Sequence, residues 1–509
     1  MGEEIVDELG KAARGGVLAL VGLLISAVFG FLVRAMIGRV FGPGEYGSYN
    51  LALTVFTITL VVAMLGFPSG LQRQVAYFLH REREKVHELV NTALLLVLAT
   101  SLLGTIVLEL TRNYLPTYIG GGELMSNLLG FLALALPLVA LFTTLVVTSQ
   151  GFGRVREFVL YNKIGFPALY FTLVLIAVLL FKSILYVPVA YALTAAVMLP
   201  LLGRDLKRAG IIQPPFRFSP GLAKVLVMFS LPLMTSSIVY FILNWTDTLM
   251  LGHYLGDRIV GLYNAAGPLA RFIPVFLASF TVLYNPIATG FFARGDMEGL
   301  RKFYVIITKW VVLLTSPLFL FLVAYPAPVL KLLFGEKYVE AWKPLMILSA
   351  GFMFHSIVGP NGLTLITMGK PTENMKGDLL GATLNVLLNY LLIPAYGMVG
   401  AAIATASSYF LANVYKSLRL ASMGINPING RYMRILLIGT TVTVAALLLR
   451  TESVILALLL AVAESLAFYV AVLVGGAFER EDIELIRLAG RKFGLDLRRL
   501  ERLLSRFAR

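Results

Sequence analysis

The apolar residues of this chain are gathered into unbroken runs of about 20, the length a helix needs to cross roughly 30 Å of hydrocarbon. Such runs fall near 16–40, 47–71, 88–110, 125–149, 158–181, 183–203, 224–251, 262–292, 302–324, 344–368, 377–395, 398–420, 432–450 and 453–476. The pattern predicts an all-α integral membrane protein with fourteen transmembrane helices. Its closest pairs of spans meet around Lys182 and between Pro394 and Gly397, where the polar break is a single turn. The first run follows "MGEEIVDELGKAARGG", which mixes acid with base, and from Val17 onward it is too long for the core of a cleavable signal.

The polar breaks contain a repeat. "FGPGEYGSYNLA" at 41–52 returns as "LGDRIVGLYNAA" at 255–266, so that Gly42, Gly47, Tyr49, Asn50 and Ala52 recur as Gly256, Gly261, Tyr263, Asn264 and Ala266 at a constant offset of 214. That offset lays six helices onto six, and "GRDLKRAGIIQPPFRFSPG" between the halves reads as a basic, Pro-rich linker. The expected organisation is a six-helix bundle over 1–203, a linker over 204–221, a second six-helix bundle over 222–420, two further helices over 421–476 and a tail over 477–509. An even number of crossings per half gives both bundles the same topology, related by a pseudo-two-fold axis along the membrane normal, which suits rocking-bundle alternating access. Gly42 and Gly256 allow backbone conformations that a Cβ resists, while Gly47 and Gly261 suit close helix approach. Prolines at 68, 137, 167, 188, 232, 268, 274, 286 and 317 fall inside the spans and are expected to bend them.

Composition supports the membrane reading: 58% hydrophobic and 14% charged residues, with a mean hydropathy of +0.83, exceed what a water-soluble core can hide. The absence of cysteine excludes disulfides, thiol catalysis and cysteine-bound metals. The net charge of +15 is concentrated on alternate connections, including Arg73, Arg81, Arg83 and Lys85, then Arg204, Lys207 and Arg208, then Arg294, Arg301 and Lys302, then Arg431 and Arg434. By the positive-inside rule both termini are cytoplasmic and the protein lies in the cytoplasmic membrane. The asymmetry accounts for the basic charge without nucleic acid. "FEREDIELIRLAGRKFGLDLRRLERLLSRFAR" reads either as an amphipathic helix on the inner leaflet or as a solvated basic tail. Loops are short and basic, which leaves no place for the acidic motifs of a membrane glycosyltransferase.

Charges at membrane depth are costly and need a reason. Arg34 lies in the first span, Asp247 in the seventh, Arg271 in the eighth, Lys309 in the ninth, His355 in the tenth and Glu464 in the fourteenth. Arg34 and Arg271 give a cationic cleft, and guanidinium groups suit phosphate oxygens in a bidentate way. Arg39 and Lys309 are further candidates, although Lys309 can also snorkel to the interface. The alternative for Arg34 is a structural ion pair with Asp247. A second group lies in "GATLNVLLNYLLIPAYGMVGAAIATASSY", where Asn385 and Asn389 share a helix face and Thr405 follows the small-residue run "GAAIAT". With Asp247 these oxygens form a ligand set for Na⁺, or else the asparagines join helices.

The "RVFGPGEYGSYNLA" turn, the "LNVLLNYLLIPAYGMVGAAIAT" segment and the helix count resemble the Wzx-type polysaccharide flippases of the MOP superfamily, whose relatives include lipid II flippases and MATE exporters. The resemblance spans residues 10 to 476. It implies movement of an oligosaccharide on a polyprenyl phosphate or diphosphate from the inner to the outer leaflet, by a monomer acting among membrane lipids, with no organic cofactor. It further implies that Arg34 and Arg271 engage the phosphates and that Asp247, Asn385, Asn389, Ala401 and Thr405 hold Na⁺. Asn389 stands where lipid II flippases commonly carry a second acid, so this site has less charge. The competing class is a MATE-type exporter of organic cations, against which the arginines and the absence of an acid from the first two spans argue.

Overall fold

Sequence runs this apolar satisfy their backbone groups internally as helices, and in the computed structural model every regular element among the described residues, 2–214 and 217–476, is helical. The proposed amphipathic tail over 477–509 lies outside the described residues. Among them, ten helices are long and apolar enough to cross a membrane, or twelve if each of two bent pairs forms one span. Two elements are too long for a single crossing. Gly2–Ala63 has 62 residues and is interrupted at Gly42 (φ 81°), and Pro371–Ala421 has 51 residues and is interrupted at Gly397 (φ 58°). Outward-facing leucines, isoleucines and valines cover the helices, and Leu110, Leu180, Leu448, Ile455 and Val474 are each at least 70% exposed. Such a surface is stable in lipid and not in water. The protein is a multi-pass membrane protein.

The chain divides into two compact units, residues 1–265 with 382–404 and residues 266–381 with 405–509. In the first, the short helix Phe67–Arg81 buries Phe67, Leu71, Val75 and Phe78 at helical spacing. That stripe packs into a core with Val86, Leu89, Val90, Leu145, Leu202 and Leu226. In the second, Tyr284, Leu300, Tyr304, Ile307 and Leu365 form one core, and Tyr325, Ala446, Ala457 and Ala461 a smaller one.

One proline is placed differently from the expectation: Pro68 sits at a helix start, where the missing N–H is unused and no bend is required, whereas Pro274 lies in the break where the chain bends by 46° between Asp257–Ala270 and Val275–Thr281. Pro137, Pro232, Pro268, Pro286 and Pro317 lie inside helices as expected.

Candidate functional site

Within the first unit the two copies of the repeated turn meet. A Cβ at Gly47 would collide with the carbonyl oxygen of Asp257, and a Cβ at Gly261 with the carbonyl oxygen of Pro43. These contacts are reciprocal, because Gly261 and Asp257 are the offset counterparts of Gly47 and Pro43. Each copy opens on a glycine of the same conformation, Gly42 at φ 81°, ψ 175° and Gly256 at φ 79°, ψ 177°. Each asparagine bonds back one turn in its own helix, Asn50 to the Tyr46 carbonyl at 2.6 Å and Asn264 to the Val260 carbonyl at 3.0 Å. The Tyr46 hydroxyl then donates across to the Asn264 carbonyl at 3.2 Å. Ser48, fully buried, donates to the Asp257 carboxylate at 3.0 Å.

The repeated tyrosines address the two ionisable residues singled out in the sequence. Arg34 is partly buried, and its charge reaches the hydroxyls of Tyr46, Tyr49 and Tyr170. Tyr49 and Tyr170 share a hydrogen bond of 2.9 Å, and Tyr191 packs edge-on against Tyr170 at 5.2 Å between ring centroids. Its counterpart Tyr263 donates to the carboxylate of Asp247, which is buried. The alternative Arg34–Asp247 ion pair is not formed among the described residues. The sequence reading missed these aromatic partners, although the recurrence of Tyr49 as Tyr263 was the signal that carried them.

Asn385 and Asn389 are fully buried in the helix Pro371–Ala421, with the Asn389 amide donating to the Asn385 side-chain oxygen at 3.1 Å. Ala401 lies beyond the Gly397 break and Thr405 one turn further, both buried. Asp247, Asn385, Asn389 and Ala401 belong to the first unit. The side-chain oxygen of Asn389 receives no hydrogen bond among the described residues. A buried amide oxygen without a donor is the kind of group a hard monovalent cation satisfies. Among the described residues no group of three or more His, Cys, Asp or Glu is arranged to hold a metal ion.

The remaining candidates separate. Arg39 is exposed. Arg271, partly buried, sits in the break after the helix Asp257–Ala270, where the chain bends by 46° into Val275–Thr281. Lys309, in the second unit, is only 2% exposed, which corrects the snorkelling alternative: its side chain does not reach the surface. His355 shares a 3.0 Å hydrogen bond with Asn413, and Glu464 accepts one from the Tyr325 hydroxyl at 2.5 Å, so both have local structural partners.

A profile of the family described as "Polysaccharide biosynthesis protein" matches residues 12–287, and one described as MatE matches 232–391. The chain is 24% identical to the uncharacterized membrane protein MJ1068 of Methanocaldococcus jannaschii, covering 80% of this chain and 83% of that protein. It is 23% identical to the probable low-salt glycan biosynthesis flippase Agl15 of Haloferax volcanii, covering 81% and 84%. Its fold is similar to that of the lipid II flippase MurJ in an inward closed conformation, with a TM-score of 0.70 at 13% identity over 89% of this chain and 98% of that one.

Proposed function

Because the chain belongs to the polysaccharide biosynthesis protein family of the MOP superfamily, we propose that it is a flippase for a lipid-linked oligosaccharide. It is a transporter and not an enzyme. The cargo is a glycan on a polyprenyl phosphate or diphosphate, carried from the inner to the outer leaflet of the cytoplasmic membrane by alternating access. The architecture proposed for this is fourteen spans, as two six-helix bundles and two added helices. The observation that carries the reading is Arg34, a partly buried cation within an apolar helix, whose charge reaches the hydroxyls of Tyr46, Tyr49 and Tyr170 and which forms no ion pair among the described residues. A guanidinium held this way is ready for an anion, since desolvating a diphosphate is tolerable only opposite fixed cations. Arg271 is the second candidate for the phosphate oxygens, and Arg39 and Lys309 are secondary ones.

The meeting of the two turns supports an assignment of that end as the closed gate of an alternating-access cycle. Opening it requires the Gly47 and Gly261 contacts to part. The isoprenoid stays in lipid while the head group passes. Na⁺, when bound at Asp247, Asn385, Asn389, Ala401 and Thr405, supplies a positive charge that biases the equilibrium between the two openings, which requires that it bind one of them better. Tyr263 orients the Asp247 carboxylate for that role.

The test is outward movement of a labelled polyprenyl-diphosphate oligosaccharide in proteoliposomes, read as glycan accessibility with and without a Na⁺ gradient. Protein-dependent movement is expected. None across several glycans and carriers would favour the competing reading, a MATE-type exporter of organic cations. In the same assay Asp247→Asn removes the one carboxylate of the ion site. It is expected to abolish acceleration by Na⁺ while leaving the Na⁺-independent rate, and an undiminished Na⁺ response would remove the coupling role.

A further inference from the structure

At one end of the second unit, a cavity of about 580 Å³ opens between the first turns of the helix Met297–Ala324 and the connection 423–431. Its polar lining is Arg301, Lys302, Arg431, Asn426 and Asn429, with Glu298 as the one acid, and its apolar lining includes Val305 and Ile306. Glu298 and Lys302 pair at 2.8 Å with side chains 77% and 66% exposed, so water screens that pair, and the lining carries three cationic side chains to one acid.

The walls are fixed. Asp296 caps one helix by accepting from the Gly299 N–H at 2.8 Å, and Asn429 caps Gly430–Leu448 by accepting from the Tyr432 N–H at 2.7 Å. Asn426 braces the connection by accepting from the Ile428 N–H at 3.0 Å. Two helix N-termini therefore frame the cavity and add their partial positive charge to that of the side chains. Next to it, Ile428, Met433 and Leu437 are 57%, 40% and 60% exposed, a surface suited to lipid chains.

From this combination we infer a binding site for an anionic membrane phospholipid, with the phosphodiester on Arg301 and Arg431 and the chains along the exposed apolar residues. The lining fits an amphiphile better than a soluble anion, because the cations share the cavity with Val305 and Ile306 and the exposed apolar Ile428, Met433 and Leu437 follow in the adjoining connection and helix. Basic pockets between membrane helices on the positively charged side bind anionic head groups by the same chemistry. The site shares no residue with Arg34 or with the ion-site candidates, and it does not depend on what the protein transports.

The natural absence of cysteine makes Asn426→Cys a unique attachment point for a fluorophore. The full-length labelled protein in nanodiscs is titrated with phosphatidylglycerol carrying a head-group quencher, with quencher-bearing phosphatidylcholine as the neutral control. Quenching should saturate with phosphatidylglycerol and not with phosphatidylcholine. The double variant Arg301→Gln/Arg431→Gln should raise the half-saturating fraction roughly thirtyfold, as expected for two lost cations near an anionic surface. Equal quenching by both lipids, an unchanged titration in the double variant, or displacement of the lipid by millimolar inorganic phosphate would each overturn the inference. Thermal unfolding of the double variant, followed in parallel, should match the parent, and Arg301→Lys/Arg431→Lys should restore most of the binding.

Discussion

Arg34→Ala will slow outward movement of a polyprenyl-diphosphate glycan at least about thirtyfold, with expression and thermal stability close to those of the parent. The rate effect follows from removing one partner of a desolvated, charge-assisted contact, which costs about 2–5 kcal/mol. The small stability effect follows from its surroundings. Arg34 is only partly buried and forms no ion pair among the described residues, so its removal strands no opposing charge. Arg34→Lys retains the charge and loses the planar fork, so its rate should fall between the two. A uniform loss of folded protein would indicate a structural role, and normal transport by Arg34→Ala would remove the phosphate assignment. The measurement is the initial rate in the proteoliposome assay, normalised to reconstituted protein.

Gly261→Ala will accelerate labelling of a single cysteine at Ser48 by at least about fivefold. Ser48 is fully buried where the two turns meet, so a membrane-impermeant maleimide reaches it only when they separate. The added methyl would press on the Pro43 carbonyl, a backbone group with little room to yield. Overpacking of this kind costs about 1–3 kcal/mol and is felt only in the closed arrangement. A penalty confined to one state shifts the population toward the other by about 5- to 150-fold. The variant is compared with Ser48→Cys alone, so both lack the bond to Asp257. Gly47→Ala presses on the Asp257 carbonyl and should act alike. Unchanged labelling in both variants would mean that this contact does not open. Faster labelling with a collapsed thermal transition would mean that the contact maintains the fold.

Much of this was legible in the sequence for a simple reason: hydrocarbon imposes a length and turns impose glycine. The interruptions at Gly42 and Gly397 sit where sequence reading separated two spans, and the close approach expected at Gly47 and Gly261 is present. What hydropathy does not encode is which side chain meets which. The hydrogen bond from Tyr263 to Asp247 joins consecutive helices and depends on how each is rotated, and the burial of Lys309 depends likewise on packing that hydropathy does not record. The π-helical segment Phe158–Gly165, which joins a short helix to Phe166–Phe181, also leaves no mark on an apolar run. The asparagines were found from their spacing, whereas the missing hydrogen bond at the Asn389 oxygen required coordinates.

The reciprocity of the two glycine contacts is what an isologous interface between two identical half-length chains would produce, each patch meeting its own copy about a two-fold axis. In such a homodimer a change in the turn strikes both sides at once. Once the copies are joined in one polypeptide, each can drift alone, and the polar contact next to the glycines records that freedom. Ser48 bonds to Asp257, whereas their counterparts at the offset of 214 are Leu262 and Pro43, which have no side chains to form the matching bond. One face of this symmetric joint is thus polar while the other is apolar, a distinction unavailable to a dimer of identical halves.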